Sequence, residues 1–265
     1  MKLEIKKAAE FLKSNDNFCF LCHKNLDGDT FGACYGLKIA LKQLGKKGIV
    51  KTYKNEVVEK FFTVCDIAKQ EKEDYFNIMH YIAVDVASLN LLEETFEKKK
   101  ISLCIDHHKT NKIFANLKCV IKDAAATCEI IYLILKELNL EITKIIANCL
   151  YLGIASDCGC FKYENTTATT HKIAAELIEK GADFSRINFE IFDLKTKKML
   201  NLQGEILKNL EFYFKGAVII VFITKSTIEK FQLSKDDSSF VAGFIACVED
   251  VLVAPQGKAF VCNPL

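Results

Sequence analysis

The stretch Ile101-Ser102-Leu103-Cys104-Ile105-Asp106-His107-His108 constrains this chain more than any other. Its apolar half reads as a central β-strand covered on both faces. Its polar end cannot follow into the core, because unpaired buried polar groups cost several kcal/mol, roughly 2–7. Asp106, His107 and His108 are therefore expected at the C-terminal edge of the strand, where open α/β sheets bind ligands. Imidazole and carboxylate together suit Mn, Fe, Co or Zn.

The chain around this strand alternates strand and helix. Residues 3–14 carry Ile5, Ala8, Ala9 and Leu12 on one helical face. A first strand, 17–22, runs into His23-Lys24-Asn25-Leu26-Asp27-Gly28-Asp29, and a helix follows over 30–44. On that helix Gly32 and Gly36 are expected to allow close packing on the sheet. A second strand is expected at 49–53, one or two short helices within 54–74, a strand at 80–84 ending in Asp85, and a helix at 89–96. Beyond His108 come helices over 124–138 and 142–155, then a turn, 156–161, that bears Asp157. Thr166-Thr167 opens a further helix closed by Gly181, and 182–210 reads as a polar helical connector. After Gly216 the pattern resets: strand 217–224, helix 226–231, helix 239–247 and a short strand 251–254. This order predicts an α/β fold, a mostly parallel sheet flanked by helices, with a smaller α/β unit after it.

Composition excludes several classes. Lys and Arg number 36 against 34 Asp and Glu, a net charge of +2, so no global field draws in long nucleic acid. Arg186 is the only arginine, which leaves almost no bidentate grip for phosphate. The 12 cysteines sit mostly singly in apolar runs, as reduced core thiols do. Cys19 and Cys22 have C-x-x-C spacing without the second pair that a zinc site needs. Residues 1–14, interleaved with Lys and Glu, do not read as a signal peptide, and the run 217–223 is too short to span a bilayer. A cytoplasmic protein is expected, with no membrane partner.

Three expected strands enter His23, Asp85 and Asp106, so His23, Asp27, Asp29, Asp85, Asp106, His107, His108 and Asp157 should gather at one sheet edge. Carboxylates packed this closely repel and take up protons. Divalent cations resolve that conflict, and the donor set resembles a dinuclear hard-metal site with metals about 3.5–4 Å apart. Such a pair makes hydroxide from water at neutral pH, which implies phosphoester or phosphoanhydride hydrolysis by in-line attack.

These motifs resemble the DHH phosphoesterase superfamily. His23-x-x-x-Asp27-x-Asp29 matches its first motif, Asp85 the second, Asp106-His107-His108 the third, and Asp157, followed by Thr166-Thr167, the fourth. The texture of 105–111 and of Ala124-Ala125-Ala126-Thr127-Cys128-Glu129 resembles the bifunctional oligoribonuclease and phosphoadenosine-phosphate phosphatase branch. The resemblance implies hydrolysis of short oligoribonucleotides, linear dinucleotides or 3′-phosphoadenosine 5′-phosphate. It also implies two divalent ions, Mn²⁺ first, with Mg²⁺ or Co²⁺ as alternatives. By the same resemblance His23 and Asp27 hold one metal, Asp29 and His107 the other, Asp85 bridges, and Asp157 completes the shell. His108 faces the scissile phosphate as charge stabiliser or proton donor, and Asp106 orients a histidine ring. His80 and His171 are assigned to the structural background.

The resemblance divides the chain into a catalytic domain, 1–184, a helical connector, 185–214, and a partial C-terminal substrate-binding domain, 215–265. In this family the last domain grips substrate through a glycine-rich loop ending in His, with an Arg nearby. Residues 217–265 contain no Gly-Gly, His or Arg, and Pro255 interrupts an expected strand. A weakened grip, with high KM and poor discrimination, follows as an expectation. The open edge at 251–254 then needs a partner or cover, and a homodimer is a candidate. Two other readings stand beside the nuclease: an inorganic pyrophosphatase-like hydrolase, and a catalytically weak nucleotide- or metal-binding protein.

Overall fold

The computed structural model describes residues 1–52, 56–68, 77–214, 218–220 and 224–232. The chain divides into two compact units, Met1–Asp193 and Leu194–Leu265. In the first, β1 (Phe18–Leu21), β2 (Gly48–Lys51), β3 (His80–Val84), β4 (Ile101–Asp106) and β5 (Ala115–Val120) form one parallel sheet in the order β2-β1-β3-β4-β5. The chain reverses its direction of travel across the sheet between β1 and β3. At such a switch point open α/β sheets form their ligand crevice.

Side chains alternate across the sheet. Phe18, Phe20, Ile82, Val84, Leu103 and Ile105 enter the larger core, with helices α1 (Lys2–Ser14), α2 (Gly28–Leu41), α5 (Thr127–Glu137) and α6 (Lys144–Asp157). Cys19, Leu21, Ala83 and Cys104 enter a smaller core on the other face, closed by Val86, Leu92 and Ile113. Cys19 and Cys22 thus belong to different cores, so their C-x-x-C spacing brings no shared site.

The glycines of α2 serve a helix contact and not the expected sheet contact. A Cβ at Gly32 would lie 2.1 Å from the Cys149 carbonyl oxygen on α6, and one at Gly28 would lie 1.9 Å from Ser156 Oγ. This contact sets the start of α2 beside the end of α6. Glycine to alanine within a helix ordinarily stabilises by about 0.5–1 kcal/mol. Gly32→Ala is expected to do the reverse and lose about 1–3 kcal/mol by overpacking, because a backbone carbonyl cannot rotate away. A denaturation midpoint at or above wild type would show that the two helices can part freely.

Several elements depart from expectation. The edge strand β5 was not anticipated between His108 and Ala124; its exposed Asn116 and Lys118 suit a sheet edge. The helix expected at 89–96 is instead a 3₁₀ turn, Leu89–Leu91, and one α-turn, α4 (Glu94–Glu97). Backbone carbonyls in and just before it serve tertiary bonds: Leu91 O accepts from Lys24 N at 2.9 Å and Ala87 O from Lys112 N at 2.7 Å. Residues 124–126 stay out of α5 despite three alanines, with Ala126 extended at φ −153° and ψ 155°. Helix α6 runs on through Asp157, so that residue closes a helix and does not sit in a turn.

Helix α3 (Glu56–Val64) is followed by residues 69–76, outside the described part. After α7 (Ala168–Glu179), capped by Thr167, the expected connector is broken. It comprises α8 (Phe184–Asn188), a π-turn at Phe189–Asp193, and α9 (Lys197–Lys208). Ile187 lies in the first unit's core. In the second unit α9 is followed by β6 (Glu211–Tyr213), antiparallel to β7 (Val218–Ile220), and by α10 (Lys225–Phe231). The expected helix at 239–247 and strand at 251–254 lie outside the described residues. Among the described residues, no helix is long and apolar enough to cross a membrane.

Candidate metal centre

Each polar cluster stands where a strand or helix ends. Asp27 caps α2, its Oδ1 accepting from Thr30 N at 2.9 Å, and its Oδ2 lies 3.4 Å from His23 Nε2 just beyond β1. Asp29, one residue into α2, is fully buried. Its Oδ2 accepts from Thr127 N at 2.6 Å and its Oδ1 from Cys128 N at 2.9 Å. These are unpaired amides of the first turn of α5, which Ala126 cannot cap, so a carboxylate from another helix caps them.

Asp85 follows β3 with φ +58°, a left-handed conformation in a non-glycine residue. Such a backbone costs on the order of 1–3 kcal/mol and persists only where its surroundings hold it. Here Asp85 N donates to Ile105 O at 2.9 Å, Thr30 Oγ1 to its Oδ2 at 2.6 Å, and Thr127 Oγ1 to its Oδ1 at 2.9 Å. The Oδ2 atom lies 3.7 Å from His23 Nε2, and Oδ1 lies 3.8 Å from His107 Nε2.

Asp106 ends β4 with no exposure, and its Oδ1 accepts from His107 N at 2.9 Å and His108 Nδ1 at 2.7 Å. Its Oδ2 accepts from Asn111 Nδ2 at 2.6 Å. Asp106 therefore faces ring and backbone donors and is absent from the metal-competent groups found among the described residues, while it fixes His108. The Asp106 carboxylate beside His108 raises that imidazole above its ordinary pKa of 6.5.

His107 gives the sharpest sign of what belongs here. Its Nδ1 meets Ala124 O at 3.2 Å, so Nδ1 carries a proton and Nε2 is the nitrogen that can coordinate a cation once deprotonated. That Nε2 is buried and faces carboxylates, Asp157 Oδ2 at the end of α6 at 3.0 Å and Asp85 Oδ1 at 3.8 Å. An imidazole that donates to a backbone carbonyl while its other nitrogen faces carboxylates is arranged as a metal ligand.

Three groups have ligand atoms all within 4.8 Å of one another: His23, Asp27 and Asp85; Asp29, His107 and Asp157; and Asp85, His107 and His108. Charge tells the same story. Burial disfavours charge on both His23 and His107, yet the facing carboxylates outweigh it and push each up to about 10. Burial, then the neighbouring Asp85, raises Asp29 well above the carboxylate range, and burial raises Asp157 too. Such a cluster favours bound protons or bound cations. The oxygen and imidazole donor set fits hard or borderline divalent cations.

The residues left outside are consistent in position. His80 Nδ1 lies 3.3 Å from Ser102 Oγ at the start of β3, and His171 stacks on Phe161 at 5.3 Å. Cys158 is buried, which pushes its thiol up to about 11 and away from the thiolate that metal binding needs. Glu129 is buried and accepts from Ala125 N at 3.3 Å, supporting the turn that presents Ala124 O. Thr30, Thr127, Ala124 O and Asn111 were not singled out as site residues from the sequence. Only Thr127, a hydroxyl opening a helix after three alanines, carried a visible signal there.

The family described as DHH family, N-terminal domain, matches residues 17–154. The bifunctional oligoribonuclease and PAP phosphatase NrnA of Thermus thermophilus is 26% identical over 95% of this chain and 75% of its own length. The Bacillus subtilis protein of the same name is 28% identical over 76% of this chain and 58% of its own. An exopolyphosphatase-related protein from Bacteroides fragilis has the same fold, with a TM-score of 0.82 at 20% identity, over 95% of this chain and 78% of its own.

Proposed function

Because the chain belongs to the DHH family through residues 17–154, we propose that it is a divalent-metal-dependent phosphoesterase. Its proposed substrates are short oligoribonucleotides, linear dinucleotides or 3′-phosphoadenosine 5′-phosphate. The observation that carries this reading is the gathering of His107 Nε2 with the buried or half-buried carboxylates of Asp29, Asp85 and Asp157 at one sheet edge. The relatives named as oligoribonuclease and PAP phosphatase support the substrate class.

His23, Asp27 and Asp85 would hold one cation, and Asp29, His107, Asp157 and Asp85 the other. Bound there, two cations, Mn²⁺ foremost, would lower the pKa of water and neutralise charge on the phosphoryl group. The chain's own residues do the rest. Asp106 holds His108 through Nδ1 at 2.7 Å, which leaves Nε2 as the nitrogen available to substrate. Asn111 holds Asp106 in turn, so the imidazole keeps one tautomer. The Asp106 carboxylate raises the His108 pKa above its ordinary value, which favours the protonated imidazole that can give a proton to the leaving oxygen. The half-exposed His108 sits beside buried Asp85, so a phosphate reaching the site meets the proton donor at its open side.

The near-neutral net charge of +2 supports small substrates over long nucleic acid. Initial rates on a diadenylate, on 3′-phosphoadenosine 5′-phosphate and on pyrophosphate, each with Mn²⁺, test the assignment. Turnover of either nucleotide well above pyrophosphate is the expected result. Pyrophosphate as the best substrate would move the chain to the phosphoanhydride reading, and silence on all three would favour a binding protein.

A further inference from the structure

We infer that Thr30 and Thr127 form a two-hydroxyl clamp that aims the Asp85 carboxylate, one oxygen toward each cation. Both would be positioning residues, and the inference rests on the metal reading above. Thr30 comes from α2 and Thr127 from the first turn of α5, and both are fully buried around Asp85, itself 2% exposed. They do not share an oxygen: Thr30 Oγ1 donates to Oδ2 at 2.6 Å and Thr127 Oγ1 to Oδ1 at 2.9 Å. Oδ2 is the atom that faces His23, and Oδ1 the atom that faces His107 and His108.

A carboxylate oxygen has two lone-pair sites. With one site on each oxygen taken by a hydroxyl, the remaining site on each is left for a cation, and rotation about the Cβ–Cγ bond is arrested. The donors are neutral, which matters: a Lys or Arg here would orient Asp85 equally well but cancel the charge that attracts the metals. The clamp also supplies what the backbone lacks, since Asp85 sits at φ +58° beyond the end of β3 and no regular element fixes its side chain. Thr127 does more than Thr30. Its amide donates to Asp29 Oδ2 at 2.6 Å while its hydroxyl holds Asp85, so one residue ties together carboxylates from both metal groups.

Thr→Val keeps the branched shape and deletes the hydroxyl; Thr→Ser keeps the hydroxyl and deletes a methyl. Calorimetric titration of the metal-free full chain with Mn²⁺, for wild type and for Thr30→Val, Thr127→Val, Thr30→Ser and Thr127→Ser, is the test, alongside metal-free denaturation midpoints. Each valine variant is expected to bind Mn²⁺ about 10–100-fold more weakly, the usual effect of losing a group that orients a ligand, while each serine variant stays close to wild type. Should Thr127→Val fail to fold, Thr30→Val reports on the other oxygen independently. Valine variants that bind Mn²⁺ as wild type does would overturn the clamp alone. Equal weakening in serine and valine would overturn it too, since packing would then be the cause. A wild-type chain that takes up no Mn²⁺ would overturn the metal reading, and the clamp with it.

Discussion

Asp85→Ala is expected to empty the metal centre and abolish hydrolysis, whereas His108→Ala is expected to keep metal bound and lower kcat by ~10²–10⁴-fold. The contrast follows from position. Asp85 is 2% exposed and contributes to two of the metal-competent groups, one through each side of its carboxylate. Without it, His23 and Asp27 form no closed set, and the other group loses a neighbour. His108 is different: its Nδ1 is engaged by Asp106 at 2.7 Å, and its side chain is 43% exposed. His108 also falls within a metal-competent group with Asp85 and His107, and the Asp106 bond is the ground on which proton transfer is proposed for it. Metal content and kcat measured on the two variants separate these roles. Equal metal loss from both would make His108 a ligand.

Removing divalent metal is expected to abolish turnover, and adding Mn²⁺ back is expected to restore it at least as well as Mg²⁺. Asp27, Asp29, Asp85 and Asp157 face two imidazoles across short distances. Without cations that charge favours bound protons: burial and neighbouring carboxylates raise Asp29 and Asp157, and facing carboxylates push His23 and His107 up to about 10. Cations displace those protons and relieve the repulsion, so Mn²⁺ should also stabilise the fold, by about 2.7 kcal/mol at a hundredfold excess over Kd. Chelation followed by metal titration, read by both turnover and denaturation midpoint, is the measurement. Full turnover in excess chelator would end the dinuclear reading.

The alternation of strand and helix through residue 106 was legible because its signals are local. β3 begins and ends where periodicity placed it, and β1, α2 and β4 lie within a few residues of expectation. Local signals failed where backbone groups serve distant partners. The alanines at 124–126 prefer helix, but Ala124 O meets His107, Ala125 N goes to Glu129 and Ala125 O accepts from Asn165. The 89–96 segment failed for the same reason: Leu91 O is taken by Lys24 N, and Ala87 O just before the segment by Lys112 N. Gly32 and Gly36 were visible, and so was a helix over 142–155, but not that the glycines are shaped for that helix, α6, and not for the sheet.

By itself, then, the sequence determined the α/β class and the residue types of the site, because a run of apolar residues ending in Asp-His-His has one physically inexpensive place to be, the edge of a buried strand. Which atoms face each other was decided only by the tertiary structure. The sheet order placed β1 beside β3 and so His23 near Asp85, and the glycine contact between α2 and α6 set Gly28 against Ser156, next to Asp157. The start of α5 likewise brought Thr127 against Asp29, 98 positions away in the chain, and against Asp85, 42 away. Contacts between residues so far apart depend on how whole elements pack, and no local pattern of charge or periodicity encodes them.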